Sequence, residues 1–230
     1  MIFIIGIFFM ILSFAISSRL KSKFKKYSKT SLASNLSGKE VAERMLRDNG
    51  IYDVQVLSHP GSLTDHYNPA NRTVNLSEPV YHGRNAAAAA IAAHECGHAV
   101  QHATAYRWLE MRTALVPIQN ASAKILNIIV IVSIFGGSML YSVFPTEMVL
   151  LTIIAVYGIL TLFSFITLPV EFDASNRALQ WISSRGITTS QEHYMAKDAL
   201  KWAAMTYVVA AIGSLVTLIY FVLTFLGSRD

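Results

Sequence analysis

Four apolar runs dominate this chain, and each is long enough to cross a lipid bilayer as a helix. The first occupies residues 1–16, relieved only by Gly6 and Ser13. The second extends from about Ile125 to Val143, the third from about Met148 to Leu168, and the fourth from about Ala203 to Leu226. Phe144-Pro145-Thr146-Glu147 reads as a tight turn between the second and third. A hydrocarbon layer of roughly 30 Å takes about 20 helical residues to cross, which the last three runs supply and the first approaches when continued through residue 18. The alternative for the middle pair is a buried hairpin inside a large soluble domain, but no other part of the chain is big enough to enclose one. Composition agrees: 53% of residues are hydrophobic and 14% charged, too few charges to coat a globule of this size, and the mean hydropathy is +0.43.

The net charge of +5 would suggest nucleic acid if it were spread over a surface. Much of it instead sits between Arg19 and Lys29, directly behind the first run, and no nucleic-acid recognition motif accompanies it. A cationic collar beside a span sets topology and touches anionic lipid. No charge precedes the first run, whereas Arg19, Lys21, Lys23, Lys25 and Lys26 follow it. That order predicts an uncleaved anchor with its N-terminus outside and the basic segment in the cytoplasm. Two spans separate the polar segments 19–122 and 170–202, so both emerge on the same side. The expected organisation is a transmembrane helix at 1–18, a catalytic domain at 19–122, a transmembrane hairpin at 123–169, a second catalytic segment at 170–202 and a final span at 203–226. The single cysteine, Cys96, excludes an intrachain disulfide. It reads as a small apolar helix residue, with a reactive thiol as the alternative.

The first polar segment has its own organisation. Ser37-Gly38-Lys39-Glu40 opens an amphipathic helix that carries Val41, Ala42, Met45 and Leu46 at helical spacing, and Asn49-Gly50 closes it. Val54–Leu57 alternates as a short strand, Leu63–Tyr67 follows as a second, and Thr73–Leu76 as a third. Asn85 caps a helix expected over residues 85–105.

That helix carries His94-Glu95-Cys96-Gly97-His98. Residues four apart share a helical face, so His94 and His98 can both aim imidazole nitrogens at one ion. Glu95 lies about 100° round the helix from His94, beside the ion and outside its ligand set. It can accept a proton from a zinc-activated water and pass it to a leaving amine. Ala92, Ala93, Gly97, Ala99 and Val100 leave room for backbone packing around a metal.

A catalytic zinc needs a third protein ligand and one open position. A longer pattern with a third histidine would put histidine at Thr104 and glycine at Gln101, and neither is present. His102 has drifted about 40° from His98 and lies too far along the axis. The better candidate is Glu171, in Pro169-Val170-Glu171-Phe172-Asp173-Ala174-Ser175, where a helix is expected to begin after the third span. The competing reading of Glu171 is an acid at a helix N-terminus, favoured by the helix dipole.

The segments Leu63–Pro69, Val74–Tyr81 and Ala92–Gln101, with the later Leu168–Ser175 and Thr206-Tyr207-Val208, resemble the YugP-type neutral zinc metallopeptidases, and more distantly the HtpX and prenyl-protein-peptidase class. The resemblance covers nearly the whole chain. It implies a membrane-bound bacterial peptidase of gluzincin type, with His94 and His98 as zinc ligands, Glu95 as catalytic acid and base, and Glu171 as third ligand. The HtpX and prenyl-protein-peptidase class, whose similarity implies Glu171 as third ligand, usually carries an aspartate four residues after that glutamate. This chain has Ser175 there, with Asp173 as the other carboxylate nearby.

The expectation is therefore a mainly α membrane protein: four transmembrane helices with a small α+β zincin-like catalytic domain at the membrane surface. It would bind one Zn2+ per chain and cleave peptide bonds in protein or peptide substrates, membrane proteins among them. The site would face the cytoplasm at a bacterial plasma membrane, with lipid as a partner and nucleic acid not. The non-enzyme alternative is a catalytically silent metal-binding membrane scaffold. Thr73–Leu76 is the candidate edge for an extended substrate. His66, Tyr67, Arg177, His193 and Tyr194 have the chemistry of an oxyanion donor.

Overall fold

A computed structural model describes residues 1–136 and 144–228. The element order is α1 (Ile2–Tyr27), α2 (Gly38–Asp48), β1 (Gln55–His59), β2 (His66–Asn68), β3 (Thr73–Ser77), α3 (Glu78–Tyr81), α4 (Ala86–Ala103), α5 (Arg107–Phe135), α6 (Thr146–Ser184) and α7 (Ser190–Gly227). By length and composition α1, α5, α6 and α7 are each able to cross a membrane. The second apolar run reaches Val143, and its last part, 137–143, lies outside the described residues.

The chain forms two compact units. One comprises Met1–Phe14, Met111–Leu168 and Tyr207–Asp230. Its described surface is apolar: Phe3, Phe8, Phe14, Ile128, Ile134 and Leu223 are all exposed. In water such a surface would be a severe liability, whereas hydrocarbon solvates it without cost. Hydroxyls in this unit donate back along their own helices, as Ser133 does to the Ile129 carbonyl and Thr167 to Phe163, each within 2.8 Å. These hydroxyls are thereby satisfied where no water competes. Gly213 admits Phe9, whose ring would meet a β-carbon there at 3.1 Å.

The other unit comprises Ala15–Glu110 and Pro169–Thr206. Its three-stranded sheet has the order β1-β3-β2, with β1 parallel and β2 antiparallel to β3. β3 is therefore the central strand, paired on both sides, and Thr73–Leu76 has no free edge to offer. The edge strand nearest the metal-motif helix is β2. β2 is also shifted from the expected Leu63–Tyr67: it runs His66–Asn68, and Leu63 lies outside it with a left-handed φ of 58°.

α2 starts with a full capping box: Ser37 accepts from the Glu40 N–H, and Glu40 accepts from the Ser37 N–H. Asn85 caps α4 by accepting from the Ala88 N–H at 2.9 Å. α4 is buried on nearly every side, against Val41, Met45, Val74, Leu76, Val80, Ala178 and Ile182. Its alanines explain this, since a helix with small side chains all round can be packed from all round. α1 and α7 are joined by Lys23 and Asp198 at 2.6 Å, with the Tyr27 hydroxyl also donating to Asp198.

The helix after the third apolar run does not start there. α6 continues without interruption through Pro169 to Ser184. Glu171 consequently sits deep inside a helix, and the reading of it as an N-terminal acid favoured by the dipole falls away. Pro169 removes one N–H from the ladder but leaves α6 continuous.

Candidate metal centre

α4 carries His94 and His98 one turn apart, with ring centroids 4.8 Å apart and planes at 82°. Both Nε2 atoms face the same carboxylate oxygen of α6: Glu171 Oε2 is 3.4 Å from His94 Nε2 and 3.7 Å from His98 Nε2. One ligand atom from each of the three residues lies within 4.8 Å of the others. Tetrahedral zinc with bonds of about 2.0–2.1 Å holds its ligand atoms roughly 3.3 Å apart. The two distances from Glu171 Oε2 are close to that value, so the donor set suits a zinc ion in chemistry and, across those two contacts, in spacing.

What brings the two helices so close is Gly97. A β-carbon there would lie 2.6 Å from the Ala174 carbonyl oxygen and 3.0 Å from its Cα. Those are backbone atoms of α6 and cannot swing aside. Only glycine lets α4 lie against α6 where the histidines meet Glu171.

Each imidazole is held from behind. His94 Nδ1 meets Ser175 Oγ at 3.1 Å, and His98 Nδ1 meets Gln101 Oε1 at 3.0 Å. With Nδ1 engaged, Nε2 is the nitrogen left for a metal. Ser175 thus touches a histidine from the position where the HtpX and prenyl-protein-peptidase class usually carries aspartate. Asp173 does not reach either imidazole, but accepts from Gln101 Nε2 at 2.8 Å. Gln101 was visible in the sequence only as a departure from a longer motif. Its spacing of three from His98 was the available signal.

Electrostatics follow from burial and from the shared carboxylate. Burial opposes ionisation of Glu171, yet the imidazoles of His94 and then His98 beside it prevail and hold its carboxyl well below the usual range. Glu171 lies past the apolar run of α6, in the unit that carries the sheet. For His98, burial disfavours the imidazolium, but Glu171 outweighs it and raises the group above its ordinary value. Burial pushes the Glu95 carboxyl up, partly offset by His94 and then His98. The Tyr67 backbone N–H of β2 donates to Glu95 Oε2 at 3.1 Å, which fixes that carboxylate beside the cluster. Burial also pushes up the Cys96 thiol, which packs against the Ala42 carbonyl on the opposite side of α4 from the cluster and keeps the character of a small apolar residue.

The other sequence candidates go elsewhere. His102 is exposed, and its Nδ1 pairs with the Tyr67 hydroxyl at 2.8 Å; it does not join the ligand group. Arg177 Nε donates to Asp173 at 2.6 Å, His66 Nδ1 lies on the Thr64 carbonyl, and Tyr194 is exposed. Of the candidate oxyanion donors, Tyr67 reaches the cluster directly, and it does so through its backbone.

Residues 2–226 match the family described as "Putative neutral zinc metallopeptidase". The chain is 43% identical over 219 residues to the "Putative membrane protease YugP" of Bacillus subtilis (strain 168), across 95% of this chain and 94% of that protein. No solved structure matches the chain.

Proposed function

This chain belongs to the neutral zinc metallopeptidase family, and from that membership we propose that it is a membrane-anchored, gluzincin-type endopeptidase with one zinc ion held by His94, His98 and Glu171. The observation that carries the reading is the convergence of both Nε2 atoms on Glu171 Oε2, with each Nδ1 engaged behind. Two histidines and one carboxylate leave a fourth position open, as catalysis requires. A helix bearing both histidines beside a small sheet supports a zincin-like catalytic domain.

Zinc, when bound, supplies the Lewis acid that polarises a scissile carbonyl and makes a water acidic enough to ionise near neutral pH. The chain's own contribution is proton movement and orientation. Glu95 takes the proton from the attacking water and delivers it to the amide nitrogen as the C–N bond breaks. Burial has already raised its carboxyl toward the range where it can do both. The Tyr67 N–H keeps Glu95 Oε2 from rotating away. An extended peptide or protein segment is read as lying beside β2, the strand edge next to Glu95.

The basic residues Arg19, Lys21, Lys25 and Lys26 behind the first apolar run support an N-terminus outside and a site facing the cytoplasm at a bacterial plasma membrane. Reporter fusions at the C-terminus test this: an outside C-terminus is expected, and a cytoplasmic one refutes the orientation.

Glu95→Gln tests the enzymatic reading against a silent scaffold. It should keep zinc and lose casein or peptide cleavage by about 100-fold or more. Retained zinc with no cleavage by the wild-type protein would favour the scaffold. Substrate trapping on Glu95→Gln, read by mass spectrometry, identifies what is cleaved.

A further inference from the structure

Gln101 has no exposed surface, although its side chain carries two N–H donors and one carbonyl acceptor. All of them are used. Nε2 donates to the Val170 carbonyl and to Asp173 Oδ2, each at 2.8 Å, and Oε1 faces His98 Nδ1 at 3.0 Å. Partners decide which end of an amide is oxygen, and here two acceptors claim the nitrogen. Only the oxygen remains for the imidazole. A neutral His98 must then carry its ring proton on Nδ1, which leaves Nε2, the nitrogen that faces Glu171, bare for a metal.

Asp173 is itself held in place. Arg177 Nε donates to the same Oδ2 at 2.6 Å, and the Arg177 guanidinium lies 5.7 Å from the centroid of the Tyr106 ring. His94 offers a contrast. Its Nδ1 meets only a serine hydroxyl, which can donate or accept and so does not dictate a tautomer. The amide on the other histidine does dictate one.

We infer that Gln101 is a positioning residue: its amide, locked by Val170 and Asp173, fixes the tautomer of His98 and thereby sets the affinity of the centre for its metal. The inference rests on reading His94, His98 and Glu171 as the ligands. Without the amide, His98 is free to protonate on Nε2, the one atom that must stay bare.

The test measures zinc affinity of the full-length protein in detergent, by competition with a chromophoric chelator, together with thermal melts of the metal-free forms. Gln101→Met keeps the length and loses every hydrogen bond, and should weaken zinc by about 10–100-fold. Gln101→Glu, held as the neutral acid by the Val170 carbonyl and the Asp173 carboxylate, donates to one of them, keeps an acceptor on Nδ1 and should restore most of that loss. His98→Ala should weaken zinc more than Gln101→Met does. Wild-type affinity in Gln101→Met overturns the inference, as does a Gln101→Glu no better than Gln101→Met. Absence of zinc from the wild type, or wild-type affinity in His98→Ala, overturns the ligand reading and this inference with it. Should Gln101→Met lose its cooperative melt, Asp173→Asn decides. An amide there lets Gln101 turn over, so several-fold weaker zinc is expected with an unchanged metal-free melt, and unchanged affinity refutes the role.

Discussion

His94 Nε2 and Glu171 Oε2 face each other at 3.4 Å, although α5 and the apolar part of α6 lie between them in sequence. Glu171→Ala should abolish cleavage and strip zinc, because it removes the only carboxylate in the ligand group. His102→Ala should leave most of both, since that ring is engaged by the Tyr67 hydroxyl. Zinc content and peptide cleavage on the purified variants check both statements. Zinc lost from His102→Ala and kept by Glu171→Ala would refute the ligand set.

Gly97→Ala should be costly out of proportion to one methyl group. Its new carbon would sit 2.6 Å from the Ala174 carbonyl oxygen, so α4 and α6 must separate. Overpacking of this kind costs about 1–3 kcal/mol, visible as a lower melting temperature. The same separation draws the histidines from Glu171, so zinc affinity should fall with stability. A variant with wild-type melting and affinity would show that the approach is not required.

Ser175→Asp should tighten zinc binding several-fold. A carboxylate in place of the hydroxyl would accept from His94 Nδ1 and raise the basicity of that ring. Chelator competition reads the change directly, and weaker binding would mean that added charge beside Glu171 outweighs the gain.

In the metal-free protein the pair of Glu171 and His98 should stabilise the fold over a limited pH window. Glu171 titrates below its ordinary 4.5, so its contribution is present above that pH and lost as pH falls through the lowered value. His98 titrates above its ordinary 6.5, so its contribution is complete below that pH and lost as pH rises through the raised value. Metal-free protein should then gain melting temperature at about pH 5.5 relative to about pH 8.5, and Glu171→Gln should shrink that difference. Zinc must displace the proton from His98, so its affinity should decline as pH drops below the raised value. A zinc affinity flat across that range would contradict the shift.

Much of this was legible in sequence because it rests on local rules. The apolar runs, the Ser37 and Asn85 caps and the one-turn spacing of His94 and His98 each follow from residues close together in the chain. Glu171 was singled out by its place after the third apolar run, and the resemblance then implied it as a ligand, but its local setting was misread. A proline after an apolar run looks like a helix break, yet α6 absorbs Pro169 and continues. The sheet order was not legible either. Three short strands permit several orders, and Thr73–Leu76 looked like an edge until β1 and β2 were seen on either side of it. The role of Gln101 was not legible because it depends on Val170 and Asp173, far away in sequence and adjacent only once Gly97 lets α4 meet α6.

That arrangement divides the centre into two jaws. α4 brings His94, His98 and the Gln101 amide, while α6 brings Glu171, Asp173 and Ser175 within a single stretch of helix. A metal held between them would act as a clasp, closing a loop that contains all of α5 and the apolar part of α6. Releasing the ion would then reopen that loop, so loading and loss of zinc amount to fastening and unfastening the two ends of that stretch of chain.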